Sequence, residues 1–162
     1  MQYGEVRTDK GFFIGDISYV TRASVYDDVW GRKYQYEDGI FSAPIHANSK
    51  NEYTFAAVTP VGGEGDYFDV DGLFRFNLKC CMGIVPWELM KVSLQRKPEL
   101  VDGLFVKAKG IAKVRLFKSG EFNVILPKEC DYPHHRNILV STVEVNDYIP
   151  YEDDEDDLEN SY

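Results

Sequence analysis

The first group of residues whose types suggest chemistry is a set of carboxylates beside glycines. Asp66, Asp69 and Asp71 lie in one glycine-rich stretch, and Asp16, like Asp66, directly follows a glycine. Carboxylate oxygens are the ligands that hard cations prefer, and glycine lets the backbone approach a ligand closely. The four aspartates are therefore candidates for binding a small ligand or a metal ion. The alternative is a β-hairpin, because Asp and Gly favour turns for backbone reasons alone.

The second group consists of thiols and imidazoles. Cys130 lies close to His134 and His135, while Cys80 and Cys81 are adjacent in a distant segment. These are zinc ligands by type, but four of them assemble only if the two segments meet, and adjacent cysteines chelate one ion poorly. Three cysteines do not make a disulfide framework. We therefore expect reduced, mostly buried thiols, with no metal and no cofactor.

Recognisable catalytic motifs are missing from the sequence. The chain has no Gly-x-Ser-x-Gly elbow to pair with a histidine, no phosphate-binding Gly-x-x-x-x-Gly-Lys-[Ser/Thr] loop and no Gly-x-Gly-x-x-Gly segment. An enzymatic function is not indicated, which favours a binding role.

Aromatic residues and a terminal acidic block are the features that suit such a role. Trp30, Tyr34 and Tyr36 surround a loop-like stretch, where exposed rings would form contacts with a partner. Seven of the last eleven residues are acidic, and we expect this block to remain disordered and to attract a basic surface. The candidate partner-binding acids are Glu152, Asp153, Asp154, Glu155, Asp156 and Asp157.

The apolar runs are short, rich in β-branched and aromatic residues, and separated by glycines, as is typical of strands. The clearest element is a hairpin over 114–125, with Lys118-Ser119-Gly120 as its turn. Two short helical turns are predicted, over 23–30 and after Pro86, the first with Val25 and Val29 on one side. The other predicted strands cover 11–14 continuing into 17–20, 40–45, 52–59, 73–78, 104–109 and 138–145.

Composition and charge exclude several classes of protein. A chain of 162 residues with 44% hydrophobic and 28% charged residues suits one domain, and it has no apolar run long enough to span a membrane. Its amino terminus does not resemble a signal peptide, so we expect a cytoplasmic protein. The net charge of −9 comes mostly from the terminal block: without those seven acids, 20 acidic and 18 basic residues remain. No Lys/Arg-rich block is present, so direct nucleic-acid binding is not expected.

Three segments carry a resemblance to a known family: Gly15-Asp16-Ile17-Ser18-Tyr19-Val20, Gly65-Asp66-Tyr67-Phe68-Asp69 and Gly83-Ile84-Val85-Pro86. In these segments the chain resembles a family of small, uncharacterised β-rich proteins of bacteriophages and bacteria. The resemblance implies a phage-type accessory protein acting in the host cytoplasm, and it transfers no catalytic residues.

The sequence thus predicts a mainly β protein: one antiparallel sandwich or half-open barrel over 1–150, with one or two short helical turns and an acidic tail over 151–162. The leading functional hypothesis is a non-enzymatic binding protein that engages a host protein through the aromatic residues and the tail. The alternatives are a small-ligand or metal site on the four aspartates, and a DNA mimic that inhibits a nucleic-acid-binding protein.

Overall fold

The computed structural model describes residues 2–69, 71–118 and 120–141, and it shows two antiparallel sheets packed face to face. One sheet has six strands and the other has five. The predicted mainly β sandwich is confirmed. The predicted acidic tail, including Glu152–Asp157, and the predicted domain boundary at residue 150 both lie outside the described residues.

The strands are numbered in chain order. In the six-stranded sheet they are β1 (Gln2–Thr8), β5 (Gly65–Asp69), β6 (Arg75–Leu78), β9 (Gly110–Leu116), β10 (Phe122–Ile125) and β11 (Asn137–Ser141). In the five-stranded sheet they are β2 (Gly11–Asp16), β3 (Gly39–Pro44), β4 (Glu52–Val58), β7 (Met82–Pro86) and β8 (Gly103–Lys107). The six-stranded sheet has the order β1-β9-β10-β11-β5-β6, and the five-stranded sheet has the order β3-β4-β7-β2-β8.

The main core lies between the sheets and follows the alternation of side chains along each strand. The hairpin over β9 and β10 is confirmed: Val114 pairs with Val124 and Leu116 with Phe122, and all four side chains are buried. The predicted hairpin alternative for the acidic, glycine-rich stretch is also confirmed, because β5 pairs with β6 in antiparallel register.

A second core covers the outer face of the five-stranded sheet. In β2, Phe12 and Ile14 face the main core, whereas Phe13 on the opposite face packs in the second core with Trp30 and Leu89. The short helical segments on this face are α1 (Ala23–Val25), a π-helical turn (Tyr26–Gly31), a 3₁₀ turn (Trp87–Leu89), α2 (Val92–Gln95) and a second 3₁₀ turn (Pro98–Leu100). Because β2 is buried on both faces, it lies at the centre of the fold.

Several predicted elements differ from the observed ones. The strand predicted over 17–20 is a turn, and β1 and β7 were not predicted. In β1 only Val6 and Thr8 are buried, so its sequence carries little apolar alternation. The helical turn over 23–30 is confirmed, but from Tyr26 onward it widens into a π-helical turn that ends at Gly31. This widening decides which aromatic side chain is buried, as described next.

Candidate functional site

Asp16 and Asp69 are structural residues whose carboxylates are occupied by the protein's own donors. Asp16 is only 2% exposed: its Oδ1 accepts hydrogen bonds from the backbone N (2.9 Å) and Oγ (2.6 Å) of Ser18, and its Oδ2 accepts one from the backbone N of Lys79 (2.9 Å). Asp69 is 1% exposed, and its Oδ1 accepts bonds from the backbone N of Leu73 (2.6 Å) and of Phe74 (3.0 Å). Each carboxylate holds a turn in place.

The four candidate aspartates do not converge on one site. Asp66 and Asp69 are three positions apart on β5, so their side chains point to opposite faces of the sheet. Asp66 accepts a bond from Asn77 Nδ2 at 3.3 Å, and Asp71 Oδ2 lies 2.7 Å from His135 Nε2. Within residues 2–69, 71–118 and 120–141, no three His, Cys, Asp or Glu side chains are grouped as metal ligands. The aspartates thus form no metal-ligand group among these residues, because strand geometry and local hydrogen bonds direct them to different partners, and a small-ligand site on them stays a prediction.

The thiols likewise have separate surroundings. Cys80 is exposed and Cys81 is buried, and their Sγ atoms lie 3.1 and 3.5 Å from the hydroxyl of Tyr26. Cys130 lies elsewhere, where its backbone pairs with that of Ala108, just after β8, in an isolated antiparallel β-bridge. All three are free cysteines, but only Cys81 is buried, which corrects the expectation of mostly buried thiols. Burial raises the pKa of both the Cys81 thiol and the Tyr26 hydroxyl, so the pair stays protonated.

Trp30 is buried, contrary to the expectation that it contacts a partner. The π-helical turn has hydrogen bonds such as that from the backbone N of Arg32 to the O of Asp27, five residues apart. This wider turn buries Trp30 beside Val25, while Val29 packs only partly buried against the same core. Trp30 is 1% exposed, and its indole Nε1 donates a hydrogen bond of 2.8 Å to the carbonyl of Glu37.

That hydrogen bond anchors the segment 32–38, which we call the aromatic turn. The backbone N of Glu37 donates to the carbonyl of Tyr34 at 3.1 Å, and the two residues between them, Gln35 and Tyr36, have φ angles of 54° and 58°. Two successive left-handed residues are usual for Asn-Gly pairs, and they cost free energy in residues with larger side chains. The aromatic turn is therefore an exposed, strained segment held by a buried anchor.

Tyr36 is the exposed aromatic side chain of this turn. It is 50% exposed, and its ring packs edge-on against Trp30 at a centroid distance of 5.1 Å. Gly31 permits this position, because a Cβ there would lie 2.6 Å from the Tyr36 hydroxyl. Tyr34 is only partly exposed and packs on Phe41 at 4.5 Å. Of the three predicted aromatic contacts, Tyr36 presents the largest surface.

A second feature is a cleft of about 560 Å³ at the opposite edge of the five-stranded sheet, which we call the cationic cleft. Trp87 and Phe105 form its apolar part, and its charged side chains come from Lys10, Arg96 and Lys107, with one acid, Glu99. Trp87 and Gln95 hold its wall together, because the indole Nε1 donates to the Gln95 carbonyl and the Gln95 Nε2 donates to the Trp87 carbonyl, both at 3.0 Å.

A buried carboxylate sets the position of Lys10 in this cleft. Glu88 Oε1 accepts a bond from Thr8 Oγ1 at 2.7 Å, and Glu88 Oε2 accepts one from the backbone N of Asp9 at 2.9 Å. Thr8 Oγ1 in turn accepts bonds from the backbone N of Lys10 (3.1 Å) and of Gly11 (3.0 Å). The turn between β1 and β2 is thus fixed to the segment that carries Trp87.

Sequence reasoning missed the cationic cleft because its cations come from widely separated segments. Lys10 has no basic neighbour, and Arg96 and Lys107 each have only one nearby, Lys97 and Lys109, so no basic block marks the three in the sequence. Only the pairing of β2 with β8, and the path of the chain after β7, bring them together.

The chain matches no protein-family model, and it has no significant match among curated proteins or solved structures. Among the described residues, no helix combines the length and the apolar composition needed to cross a membrane.

Proposed function

We propose that this protein is a non-enzymatic binding protein that engages another protein through the aromatic turn. The observation that carries the proposal is the pair of left-handed residues, Gln35 and Tyr36, in an exposed segment anchored by Trp30. Backbone strain that adds nothing to the core is often kept where it positions a functional side chain. Here it positions the ring of Tyr36.

The turn meets two physical requirements of a protein-binding surface. Tyr36 offers a half-exposed ring, and tyrosine is among the residues that contribute most to binding energy at interfaces. Its ring packs against the Trp30 ring, in space that a side chain at position 31 would fill, so little conformational entropy is lost on association.

The charge around the turn supports a basic partner. Asp27, Asp28, Glu37 and Asp38 are exposed beside it, against the cations of Arg32 and Lys33. The acidic block Glu152–Asp157 adds negative charge to the same chain and would speed the encounter with a positive surface. In this proposal the partner is a bacterial host protein, and the chain acts as a phage-type accessory factor in the host cytoplasm.

The test is affinity capture from bacterial lysate with three forms of the full-length chain: wild type, Tyr36→Ala and Tyr19→Ala. Tyr19 is 51% exposed and lies outside the aromatic turn, so it is a matched control. We expect one or more proteins to be retained by wild type and by Tyr19→Ala, and to be lost with Tyr36→Ala. Identical capture by all three forms would contradict the proposal.

A further inference from the structure

The lining of the cationic cleft contains more cations than acids. Lys10, Arg96 and Lys107 are exposed, and none of them takes part in the ion pairs within residues 2–69, 71–118 and 120–141. Glu99 is the single acid of the lining. On a chain with a net charge of −9, a local cluster of three cations around one cleft indicates an anionic ligand.

The cleft also presents aromatic surface next to that charge. Trp87 is partly exposed, and Lys10 Nζ lies 5.0 Å from the centroid of its ring. Phe105 contributes a second partly exposed ring from β8. Cations beside accessible aromatic faces suit a ligand that alternates phosphates with flat bases, because the bases stack on the rings while the phosphates pair with the cations.

The charged surface extends beyond one phosphate. A neighbouring hollow of about 410 Å³ shares Lys107 with the cleft and adds Lys109 and Lys128, together with Glu129 and Asp131. A ligand that follows both hollows must be elongated, which favours a strand of several nucleotides over a mononucleotide.

From these observations we propose that the cationic cleft binds single-stranded nucleic acid, with bases on Trp87 and Phe105 and phosphates at Lys10, Arg96 and Lys107. Unstacked bases are accessible only in a single strand, so a duplex would offer the cleft phosphates but no stacking. The sequence has no basic block, and for that reason no nucleic-acid binding was expected. That argument does not exclude binding at the cleft, because folding assembles its cations from separate segments. The proposal is independent of the function assigned to the aromatic turn.

The two tryptophans provide a direct readout. Trp30 is buried and Trp87 lines the cleft, so a base that stacks in the cleft quenches the fluorescence of only one of them. We expect a thymidine oligonucleotide of about ten residues to quench the full-length protein at low salt. The logarithm of the affinity should fall with the logarithm of salt with a slope of about −2, since each neutralised phosphate of a single strand contributes about −0.7.

Charge variants test whether the cleft is the site. Lys107→Gln should weaken binding several-fold and reduce the magnitude of the salt slope by about 0.7. Lys50→Gln, which removes an exposed cation that lines neither of the two hollows, should leave both unchanged. Trp87→Phe should abolish the quenching but retain binding measured by the anisotropy of a labelled oligonucleotide, because phenylalanine still offers a ring for stacking.

Competing anionic ligands test whether the cleft prefers single-stranded nucleic acid. The proposal is overturned if the oligonucleotide causes no quenching at low salt, or if Lys107→Gln and Lys50→Gln behave alike. It is also overturned if duplex DNA, thymidine monophosphate or a peptide of residues 152–159 binds as tightly as the single strand. Tyr36→Ala should bind the oligonucleotide like wild type, so failure here and failure of the aromatic turn as a protein-binding surface are distinguishable.

Discussion

The two tryptophans make the same hydrogen bond in two different settings. The indole of Trp30 donates to the carbonyl seven positions later, at Glu37, and the indole of Trp87 donates to the carbonyl eight positions later, at Gln95. Each bond ties a loop to one side of the five-stranded sheet, near β3 in the first case and near β8 in the second. The ring of Trp30 is buried, whereas the ring of Trp87 is partly exposed in the cationic cleft.

The comparison shows that the same indole–carbonyl hydrogen bond serves two purposes. At Trp30 the ring is part of the second core, and the residue presented to solvent is a neighbour, Tyr36. At Trp87 the anchor itself is accessible, and the hydrogen bond holds its ring in an orientation that a ligand can use. The predictions below separate the two roles, from the largest expected effect to the smallest.

Truncating the two rings should have unequal effects on stability. Trp30→Ala should lower the free energy of unfolding by about 3–5 kcal/mol, because it removes a fully buried ring and leaves a cavity. Trp87→Ala should lower it by only about 1–2 kcal/mol, because its ring is only partly buried against the second core. Urea denaturation measures the free energy of unfolding of both variants. Equal losses would show that the two rings contribute equally to stability, contrary to their different burial.

Alkaline pH should weaken the region of Trp30 through its neighbour Tyr26. Burial, together with the hydrogen bond to Cys80, raises the pKa of Tyr26 above the ordinary value of 10.0, and burial raises that of Tyr132 to about 12. The folded state thus favours the protonated phenols, so their contribution to stability is complete below about pH 10 and is lost as the pH rises through the folded-state pKa. We expect the unfolding free energy to fall above about pH 10.

A pair of variants assigns part of this alkaline loss. Tyr26→Phe should show a smaller decline in stability above about pH 10 than wild type, because one of the buried phenols no longer ionises. Trp87→Phe should decline as wild type does. Unfolding midpoints measured across the alkaline range give the comparison, and an unchanged decline in Tyr26→Phe would refute the assignment.

Relieving the left-handed backbone should stabilise the aromatic turn. Gln35→Gly should raise the free energy of unfolding by about 0.5–1 kcal/mol, because glycine adopts positive φ without the steric cost that other residues pay, although it gains entropy in the unfolded chain. Lys33→Gly, two positions earlier and with no positive φ, should instead lower it by a similar amount. Denaturant titration of both variants is the measurement, and a loss of stability in both would argue against strain in the turn.

Thiol labelling should give the smallest effect and the most local one. Cys80 is exposed and lies 3.1 Å from the Tyr26 hydroxyl, whereas Cys81 is buried with a raised pKa. A thiol reagent should therefore modify Cys80 in the native protein and leave Cys81 unreacted until the chain unfolds. The label should change the fluorescence of Trp30, which packs against Tyr26 at 5.3 Å, and not that of Trp87. Labelling of Cys81 in the folded state would contradict the burial of its side chain.

Local patterns predicted the local elements of this fold. The hairpin over β9 and β10 follows from alternating apolar residues around Lys118 and Gly120, and the helical turn after Ala23 follows from short-range spacing. The strand β1 was not predicted because its partner is β9, about a hundred residues later, and because few of its residues are buried.

The candidate sites were predicted only in part, for the same reason. A period of 3.6 residues places Val29 with Val25, and Val29 does pack there, but the π-helical turn also buries Trp30, so an anchor was taken for a contact residue. The aspartates were grouped by their proximity in sequence, whereas Asp66 and Asp69 face opposite sides of β5. Properties that depend on distant segments meeting, such as the cationic cleft, have no local pattern from which to be predicted.

The pairing of the first strand with the ninth has a consequence for biosynthesis. The residues of β1 leave the ribosome well before those of β9, yet Gln2 pairs with Leu116 and Thr8 with Gly110, so their hydrogen-bonding partners are translated about a hundred residues later. At about 5–20 residues per second, β1 waits several seconds before its neighbour exists. During that interval a nascent chain with an unpaired strand edge is open to chaperones or to other nascent chains, and completion of the six-stranded sheet is a late event of translation.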